Sequence, residues 1–384
     1  MPALREISCA RRVTVLSPQT TTVRETLVRL SVLFVCVNRY QRYSWVRAPA
    51  LTINDKAGAV PFGSMVLTHS CRESIILCRT RTNDQELRMH NIPVLHVCGT
   101  SLAAAYEKAL IALHANGIPF RTQYDKPGDP LSLDCTMNIT VLDPLSEPMI
   151  HKAFPGGIED LREYVMELQG AKDHWVKNMN DPDDTRWEYT YHQRLQAYGM
   201  WHELRDGKPT EAGLMKIDQI EAVISKLVAQ PFTRQAQMIT WMPNIDLDCY
   251  DPPCLQSVWY RIIEDEKTGD YWLNCNIRFR SNDAWGANFM NMFGFILFSR
   301  EVIADEVQKQ SGKSVRLARL NWHADSWHIY GKDIADARAR LFDRIESTTF
   351  EQRVYNFSGS MIREIYDEAE AAIRNKIAEY DRTH

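Results

Sequence analysis

A cysteine that follows two prolines is the first group in this sequence with the chemistry of a nucleophile. In the segment Asp251-Pro252-Pro253-Cys254 it stands directly before an apolar, alternating stretch that predicts a strand. Because proline fixes φ, the backbone that leads to the thiol is rigid, and the thiol lies at the mouth of the strand. On this tetrapeptide alone, however, a buried cysteine at the start of a strand is the better interpretation. The choice between the two depends on the residues around it.

Residues suited to binding anions and rings flank Cys254 on both sides. Arg234 lies twenty residues upstream, before the segment QAQMITWMPN. Downstream come the segments LNCNIRFRSNDAWGANFMNMFGF and WHADSWHIYGKD. Each candidate is weak by itself, since an arginine is usually a solvated charge and a His-x-Tyr alternation is usually one face of a strand. The downstream candidates are Arg280, Ser281, Asp283, Asn291, His328 and Tyr330.

Together and in this order, the motifs resemble the thymidylate synthase and deoxynucleotide hydroxymethylase family. They are most similar to a deoxyuridylate hydroxymethylase or a divergent thymidylate synthase. That family has an arginine before a tryptophan-containing strand, a Pro-Cys nucleophile thirteen residues after the tryptophan, an Arg-Ser-x-Asp motif that ends in Phe-Asn, and a His-x-Tyr strand. In this sequence Cys254 lies thirteen residues after Trp241, and Asn291 lies eleven residues after Arg280.

The resemblance extends upstream and covers roughly residues 91–343. Glu163 in REYVMELQG matches a glutamate-bearing helix of the family, and Tyr191 in YTYHQRL matches its tyrosine. Two positions depart from the pattern. Leu255 stands where many members have histidine, and Gln235 stands where many have a second arginine.

Further departures concern a loop, an aromatic segment and the end of the sequence. Gly286 comes one position early, and Phe289-Met290-Asn291 replaces the usual Pro-Phe-Asn. The segment NMNDPDD stands in place of the tryptophan-rich segment before the tyrosine, and AEYDRTH stands in place of an apolar tail.

The resemblance implies a mechanism that starts at the thiol. A pyrimidine ring is too weak a nucleophile at carbon 5 to accept a one-carbon unit, so the thiolate of Cys254 first adds at carbon 6 and generates an enolate. Neighbouring guanidinium groups lower the pKa of a thiol. The family supplies them with its phosphate-binding arginines, here Arg280 and, across a two-fold homodimer interface, Arg234. Ser281 would add a hydroxyl donor to the same phosphate.

The remaining candidates receive roles from the same resemblance. The enolate attacks the methylene group of the cosubstrate 5,10-methylenetetrahydrofolate, whose pterin ring Asp283 would hold. Glu163 and Tyr191 would organise water and move protons, although a solvated helix face is the alternative for Glu163. His328 and Tyr330 would bind the sugar 3′-hydroxyl.

Asn291 would read the base. A carboxamide offers a donor to the carbonyl at carbon 4 and an acceptor to the ring N–H, which matches uracil, whereas a carboxylate would suit the amino group of cytosine. The expected substrate is therefore deoxyuridylate.

Two products share all these steps, because the methylene group can take either hydride or water. Hydride transfer needs a closed, dry site. In the family, a tryptophan-rich segment and an apolar tail help to close the site, and this sequence has neither. We therefore expect 5-hydroxymethyl-deoxyuridylate as the product, with phage-type DNA modification as the natural setting. Thymidylate synthase is the alternative. An inactive nucleotide- or RNA-binding relative is a second alternative, against which the retention of Cys254, Arg280, Asp283 and Asn291 speaks.

Charge and cysteine content exclude several other classes of protein. The 45 Lys and Arg against 49 Asp and Glu give a net charge of -4, so duplex nucleic acid is not an expected partner. The longest apolar run in the first fifty residues, residues 31–37, is too short to span a bilayer. Nine cysteines without a Cys-x-x-Cys pair argue against a disulfide framework and a zinc ribbon. We expect a cytoplasmic protein, in the host cytoplasm if viral, with no metal and no membrane partner.

The elements that must position these residues predict an α+β fold, a thymidylate-synthase-like layered mixed sheet with helices in a two-fold dimer. Residues 1–88 start with eight Arg in the first fifty positions and are predicted as an extension outside the chemistry, with an organelle transit peptide as the alternative. Residues 89–384 are the predicted catalytic domain. Strands are predicted over 92–97, 135–142, 235–241, 256–264, 271–279 and 317–322. Helices are predicted over 103–115, with Ser101 and a left-handed Gly117 as caps, and over 157–169, 211–229, 288–298, 333–345 and 360–380.

Overall fold

A mixed β-sheet holds the motifs singled out by the sequence, and within the described part of the chain it has seven strands. The computed structural model describes residues 91–177, 183–201, 204–205, 208–209 and 214–383. The predicted extension, residues 1–88, lies outside these ranges, as do the first five residues of NMNDPDD.

The elements follow one another along the whole described chain. The strands are β1 (Val94–Gly99), β2 (Ile118–Phe120), β3 (Ser132–Val141), β4 (Ile150–His151), β5 (Tyr198–Trp201), β6 (Leu204–Arg205), β7 (Lys208–Pro209), β8 (Leu214–Ile217), β9 (Gln237–Ile239), β10 (Leu255–Glu264), β11 (Tyr271–Asp283), β12 (Val315–Ile329) and β13 (Val354–Tyr355). The α-helices are α1 (Leu102–Asn116), α2 (Ile158–Leu168), α3 (Tyr191–Gln196), α4 (Gln219–Ala229), α5 (Pro243–Asp246), α6 (Asn288–Phe298), α7 (Asp305–Ser311), α8 (Ile334–Arg340) and α9 (Ser360–Thr383).

The large sheet combines parallel and antiparallel pairs, and its spatial order is β1-β3-β12-β11-β10-β9, with β2 paired to β3. The pairs β1/β3 and β11/β12 are parallel, and the other neighbours are antiparallel. A parallel pair needs a crossover connection, and helices supply both, since α1 follows β1 and α6 and α7 lie between β11 and β12. This architecture confirms the predicted α+β class with a layered mixed sheet.

The pairing of β11 with both neighbours brings three motifs to one end of the sheet. Along β12, Ser281 lies opposite Ser326 and Asp283 lies opposite His328. On the other side, the backbone N–H of Arg280 donates to the carbonyl of Cys254 at 2.8 Å. Segments far apart in sequence therefore meet within three adjacent strands.

Helix α6 forms the centre of the hydrophobic core. Nearly all of its residues are buried, as expected for a helix that is apolar on every side. Its Phe295 approaches Phe279 of β11 and Trp322 of β12, and the last two rings stack with centroids 4.6 Å apart. The helix thus anchors the two strands that carry the Arg-Ser-x-Asp and His-x-Tyr motifs.

The opposite face of the sheet carries polar side chains. Asn138 of β3, Asn276 of β11, and Asn321 and His323 of β12 are all half-buried in the single chain. Strand residues alternate between the two faces, so the sheet is apolar toward α6 and polar on this side. We call this polar side the open face.

The helix over 288–298 agrees with the sequence prediction to the residue, whereas the predicted helix over 333–345 ends already at Arg340 and two further local predictions are wrong. Gly117 ends α1 with φ -64°, not in the left-handed region, and a Cβ there would lie 2.7 Å from the carbonyl oxygen of Leu113. Glycine is therefore needed at this position for close approach. The predicted helix over 211–229 begins only at Gln219, because β8 pairs with β5 before it.

A buried ion pair ties α3 to the loop that precedes Cys254. Arg194 donates to both carboxylate oxygens of Asp246, at 2.9 and 3.2 Å, and to the carbonyl of Thr240. Asp246 also accepts the backbone N–H of Met242 at 2.6 Å. Both charged side chains are almost completely buried. The pair therefore holds the helix that begins with Tyr191 against the segment that leads to the thiol.

Replacing Asp246 with Ala should reduce the free energy of unfolding by about 3–5 kcal/mol, because it leaves the guanidinium of Arg194 buried without its counter-charge. Urea unfolding of the full chain measures the loss. The matched control is Asp367→Ala, which breaks an exposed i,i+4 pair with Arg363 and should cost less than about 1 kcal/mol. Equal, small losses in both variants would contradict the positioning role of the buried pair.

Candidate active site

A cavity of about 620 Å³ opens at Cys254. Of the residues predicted from the sequence, it is lined by Cys254, Arg280, Ser281 and Tyr330. Further lining residues that the sequence analysis did not identify include Tyr124, Lys126, Asp251 and Lys332. The cavity is thus mainly polar and contains the predicted nucleophile.

The two prolines before Cys254 orient the Arg280 guanidinium. Its Nε donates to the carbonyl of Pro253 at 3.1 Å, and its Nη2 donates to the carbonyl of Pro252 at 2.6 Å. Among the described residues, Nη1 has no hydrogen-bond partner. Because two of the three nitrogens are held by backbone, the third is preorganised to meet an anion in the cavity.

The thiol of Cys254 is half-buried, and burial raises its pKa above the ordinary cysteine value. The charge of Arg280 lowers this pKa, and that of Asp251 raises it. The sequence led us to expect arginines to lower the pKa of the nucleophile. In a single chain one arginine acts in that direction, but the loss of solvation outweighs it, so the thiol is neutral at physiological pH.

Three tyrosines surround the thiol. Tyr164, Tyr189 and Tyr191 all have a pKa raised by burial, and the charge of a Cys254 thiolate would raise each further. The hydroxyl of Tyr191 is hydrogen-bonded to the backbone of Leu255, beside the nucleophile. The structure therefore brings the predicted Tyr191 to the site. It also brings Tyr164 and Tyr189 there, which the sequence analysis did not identify. Their closeness in sequence to Glu163 and Tyr191 is the signal that could have found them.

Glu163 lies apart from the cavity lining. Its carboxylate accepts from the ammonium groups of Lys172 at 2.7 Å and Lys376 at 3.1 Å. Burial alone would raise the pKa of Glu163, but these hydrogen bonds outweigh burial and lower it. Lys376 belongs to α9, so a helix at the far end of the sequence takes part in the surroundings of this glutamate.

Two tryptophans stand close to the same lysine. The ammonium of Lys172 lies 5.5 Å from the ring of Trp175 and 5.4 Å from that of Trp187, and the two rings are 5.4 Å apart. These tryptophans flank NMNDPDD in sequence, yet they do not line the cavity at Cys254.

Asp283 is half-buried, and partial loss of solvation raises the pKa of its carboxyl. Its Oδ1 accepts the backbone N–H groups of Trp285 and Gly286 at 3.0 and 2.9 Å. A Cβ at position 286 would come within 2.6 Å of Oδ2, so a larger residue here would displace the Asp283 carboxylate. The early glycine noted in the sequence is explained by this turn. Oδ2 remains without a hydrogen-bond partner among the described residues.

His328 and Tyr330 lie on one side of the end of β12, with ring centroids 4.7 Å apart. Burial lowers the pKa of His328 to about 4, although a hydrogen bond with the Ser326 backbone acts in the opposite direction. The imidazole is therefore neutral at physiological pH. Burial raises the pKa of Tyr330 to about 12. Both groups are thus neutral hydrogen-bonding groups, as the binding of a sugar hydroxyl requires.

The last two predicted residues have different surroundings. Asn291 is buried on α6, and its carboxamide makes no hydrogen bond within the described part of the chain. Arg234 is exposed and does not line the cavity of its own chain. The backbone carbonyl of Arg234 accepts a hydrogen bond from the indole N–H of Trp259 at 3.0 Å.

The described residues contain neither a candidate metal site nor a candidate membrane span. No group of three or more His, Cys, Asp or Glu side chains could hold a metal ion in this part of the chain. None of the helices described is long and apolar enough to cross a membrane.

Comparison with known proteins points to one family. The family model described as thymidylate synthase matches residues 161–367. Two curated relatives, from Methanosarcina barkeri and Methanococcoides burtonii, bear the name "Putative thymidylate synthase". They are 29% and 31% identical over 209 residues, which is 54% of this chain and 78% of each relative. A solved structure, thermostable thymidylate synthase A from Bacillus subtilis, is 18% identical with a TM-score of 0.45, and the match covers 63% of this chain and 84% of that one.

Alkylation of Cys254 by iodoacetamide should respond to its two charged neighbours in opposite directions. Arg280→Gln should raise the apparent pKa of the reaction and slow it several-fold below that pKa, because a charge that stabilises the thiolate is lost. Asp251→Asn should lower the apparent pKa for the converse reason. Mass spectrometry of the Cys254 peptide across a pH series measures both shifts.

The matched control for this experiment is Arg278→Gln, which removes an exposed arginine of β11 that pairs with Asp325. It should leave the pH profile of Cys254 unchanged. Shifts of the same sign in the Arg280 and Asp251 variants would show that local charge does not set the reactivity of the thiol.

Proposed function

The chain belongs to the thymidylate synthase family, and on that premise we propose that it transfers a one-carbon unit from 5,10-methylenetetrahydrofolate to carbon 5 of deoxyuridylate. The observation that carries the proposal is the pairing of Cys254 with Arg280 at one cavity, where the prolines hold the guanidinium beside the thiol. A nucleophile and an oriented phosphate donor are thereby adjacent, as attack on a nucleotide ring requires.

In the proposed reaction the sulfur of Cys254 adds to carbon 6 of the uracil ring, and the electron pair moves to carbon 5 and the carbonyl at carbon 4. Carbon 5 then attacks the methylene carbon of the folate, and the proton at carbon 5 leaves. Tyr191, beside the thiol, is the nearest proposed proton carrier. Glu163 is proposed to act through water from its place between Lys172 and Lys376.

Activation of the thiol needs more positive charge than one chain provides, because burial keeps the pKa of Cys254 high. We assign the missing charge to Arg234 of a second copy. The open face of the sheet supports such a homodimer, since half-buried Asn and His side chains on it can form hydrogen bonds across an interface. In the assembled site Arg234, Arg280 and Ser281 would hold the nucleotide phosphate.

The other groups of the site fit the remaining parts of the two substrates. His328 and Tyr330 are proposed to bind the sugar hydroxyl, and Asn291, whose carboxamide has no partner in the described chain, is proposed to read uracil. The Oδ2 of Asp283, which has no hydrogen-bond partner among the described residues, fits the N–H groups of a pterin ring, because a carboxylate oxygen accepts such donors.

The product we propose is 5-hydroxymethyl-deoxyuridylate. The two bonds between the methylene carbon and the folate nitrogens break in turn, the folate leaves, and an exocyclic methylene remains on the nucleotide. Water adds to it when the site is wet, and the Cys254 thiolate then leaves carbon 6 as the ring double bond re-forms. The cavity at Cys254 is lined by charged side chains such as Lys126, Asp251 and Lys332, and Trp175 and Trp187 do not wall it off. Thymidylate synthase is the second candidate, which the names of the relatives favour.

Incubating the chain with deoxyuridylate and methylenetetrahydrofolate distinguishes the candidates by mass spectrometry of both products. Capture of water gives hydroxymethyl-deoxyuridylate and tetrahydrofolate in equal amounts, and we expect this pair. Hydride transfer gives thymidylate and dihydrofolate, which would establish the second candidate. Cys254→Ser is the control and should form neither pair, since a hydroxyl is far less acidic than a thiol. Nucleotide binding without any product in the wild-type chain would indicate a binding protein.

Asn291→Asp should shift the preference from deoxyuridylate toward deoxycytidylate by about ten- to a hundred-fold, because an ionised carboxylate cannot donate to the carbonyl of uracil. Competition between the two nucleotides in one reaction measures the ratio. The control Asn116→Asp makes the same chemical change at the exposed end of α1 and should leave the ratio as it is. An unchanged ratio in Asn291→Asp would mean that another group reads the base.

A further inference from the structure

A buried carboxyl group that none of the motifs contains lies behind the predicted sugar site. Asp134 of β3 stands opposite His328 in the antiparallel pairing of β3 with β12, and its side chain is almost completely buried. Ser326 donates its hydroxyl hydrogen to Oδ1 of Asp134 at 3.0 Å. Backbone groups of Cys135 and Trp327 also hydrogen-bond to this carboxyl.

The backbone of β12 is shaped to make this contact. The register between β12 and β3 shifts between Ala324 and Trp327, where β12 bulges. The hydroxyl of Thr136 donates to the carbonyl of Asp325 at 2.7 Å and holds the bulge in place. A bulge re-aims the side chains that follow it, and here Ser326 lies between Asp134 and His328.

The chemistry of the three groups determines the direction of the hydrogen bonds. Burial raises the pKa of Asp134 to about 6, so at neutral pH the group is mainly a carboxylate, which can only accept. The single hydroxyl hydrogen of Ser326 therefore points to Asp134. The Ser326 hydroxyl oxygen, 3.2 Å from Nδ1 of His328, is left as an acceptor, and the Ser326 backbone also accepts a hydrogen bond from His328. Because His328 is neutral, a hydrogen on Nδ1 leaves Nε2 as a lone-pair acceptor.

We propose that Asp134 is a positioning residue that acts through Ser326 to hold His328 as the Nδ1–H tautomer, so that Nε2 accepts a hydrogen bond from the 3′-hydroxyl of the nucleotide sugar. The identity of the ligand rests on the proposed function, whereas the tautomer does not. Nε2 has no hydrogen-bond partner among the described residues, and the ring lies beside Tyr330, which lines the cavity.

An imidazole that can only accept at Nε2 selects its ligand by the type of hydrogen bond. It favours a ligand with an O–H donor at that place, and it gains nothing from a group that cannot donate. Discrimination between a nucleotide with a 3′-hydroxyl and its 3′-fluoro analogue should therefore depend on Asp134, although Asp134 touches neither.

The first test reads the tautomer without any ligand. Long-range proton–nitrogen NMR spectra of the full chain labelled with ¹⁵N-histidine should show a protonated Nδ1 and an unprotonated Nε2 for His328, assigned by its loss in His328→Gln. Asp134→Asn turns an N–H donor toward Ser326, which reverses the hydroxyl and should shift His328 toward the Nε2–H form. Ser326→Ala removes the hydroxyl acceptor but keeps the backbone acceptor of residue 326, and it should give a mixture. An unchanged pattern in both variants would overturn the proposal.

The second test measures binding of deoxyuridylate and its 3′-fluoro analogue, whose 3′ group cannot donate a hydrogen bond, without folate and by calorimetry. The wild-type chain should bind deoxyuridylate about ten-fold more tightly than the analogue. Asp134→Asn should bring this ratio closer to one, because an Nε2–H donor no longer needs an O–H from the ligand. Equal weakening of both nucleotides would show a merely structural role and contradict the proposal.

The matched control is Asp143→Asn, the same exchange at an exposed residue just after β3, which should change neither the NMR pattern nor the ratio. Failure of the wild-type chain to bind either nucleotide would refute the proposed function, and the NMR test would still decide whether Asp134 sets the tautomer of His328.

Discussion

The register of β11 against its two neighbours controls where the candidate catalytic groups lie. Side chains alternate between the two faces of a strand, so a slip of one residue would turn Arg280 or Asp283 to the other face. The pairing with β10 sets Arg280 beside Cys254, and the parallel pairing with β12 sets Asp283 opposite His328. The core around Phe279, Phe295 and Trp322 stabilises this register, because any slip would expose these large rings.

Burial has two opposite effects on the site. It raises the pKa of the nucleophile, which by itself makes the thiol of Cys254 less reactive. It also strengthens the electrostatic interaction between the thiolate and any charged group that enters the site, because the local dielectric constant is low. If Arg234 of a second copy completes the site, as we propose, catalysis would be coupled to dimer formation.

Buried polar contacts hold the elements around the cavity more tightly than apolar packing alone could. Arg194 and Asp246 lock α3 to the segment before Cys254, and the amide of Asn288 donates to Asn282 at the start of α6. Apolar contacts have little directionality, whereas a buried donor has few acceptable positions. In the same way, the proposed hydrogen-bonded chain from Asp134 through Ser326 fixes which ring nitrogen of His328 carries the proton.

Local patterns in the sequence determined the α+β class, the bounds of α6 and most of the strands. Periodicity, helix caps and proline act over a few residues, which is why such features can be read directly. The order and spacing of the motifs also indicated Cys254, Arg280, Ser281 and Tyr330, which share one cavity. The family is visible in the sequence for the same reason.

Only the tertiary structure decided what depends on contacts between distant segments. Lys376 of α9 reaches Glu163, and β5 pairs with β8 where the sequence predicted the start of a helix. The balance of burial against charge at Cys254 is another such quantity, since it sums over all neighbouring groups. Asp134 had no signal in the sequence, because its link to His328 exists only through the bulge and register of two strands that lie far apart along the chain. Residue types and local spacing therefore determined which chemistry is available, and the long-range pairing of strands decided where each proton and charge lies.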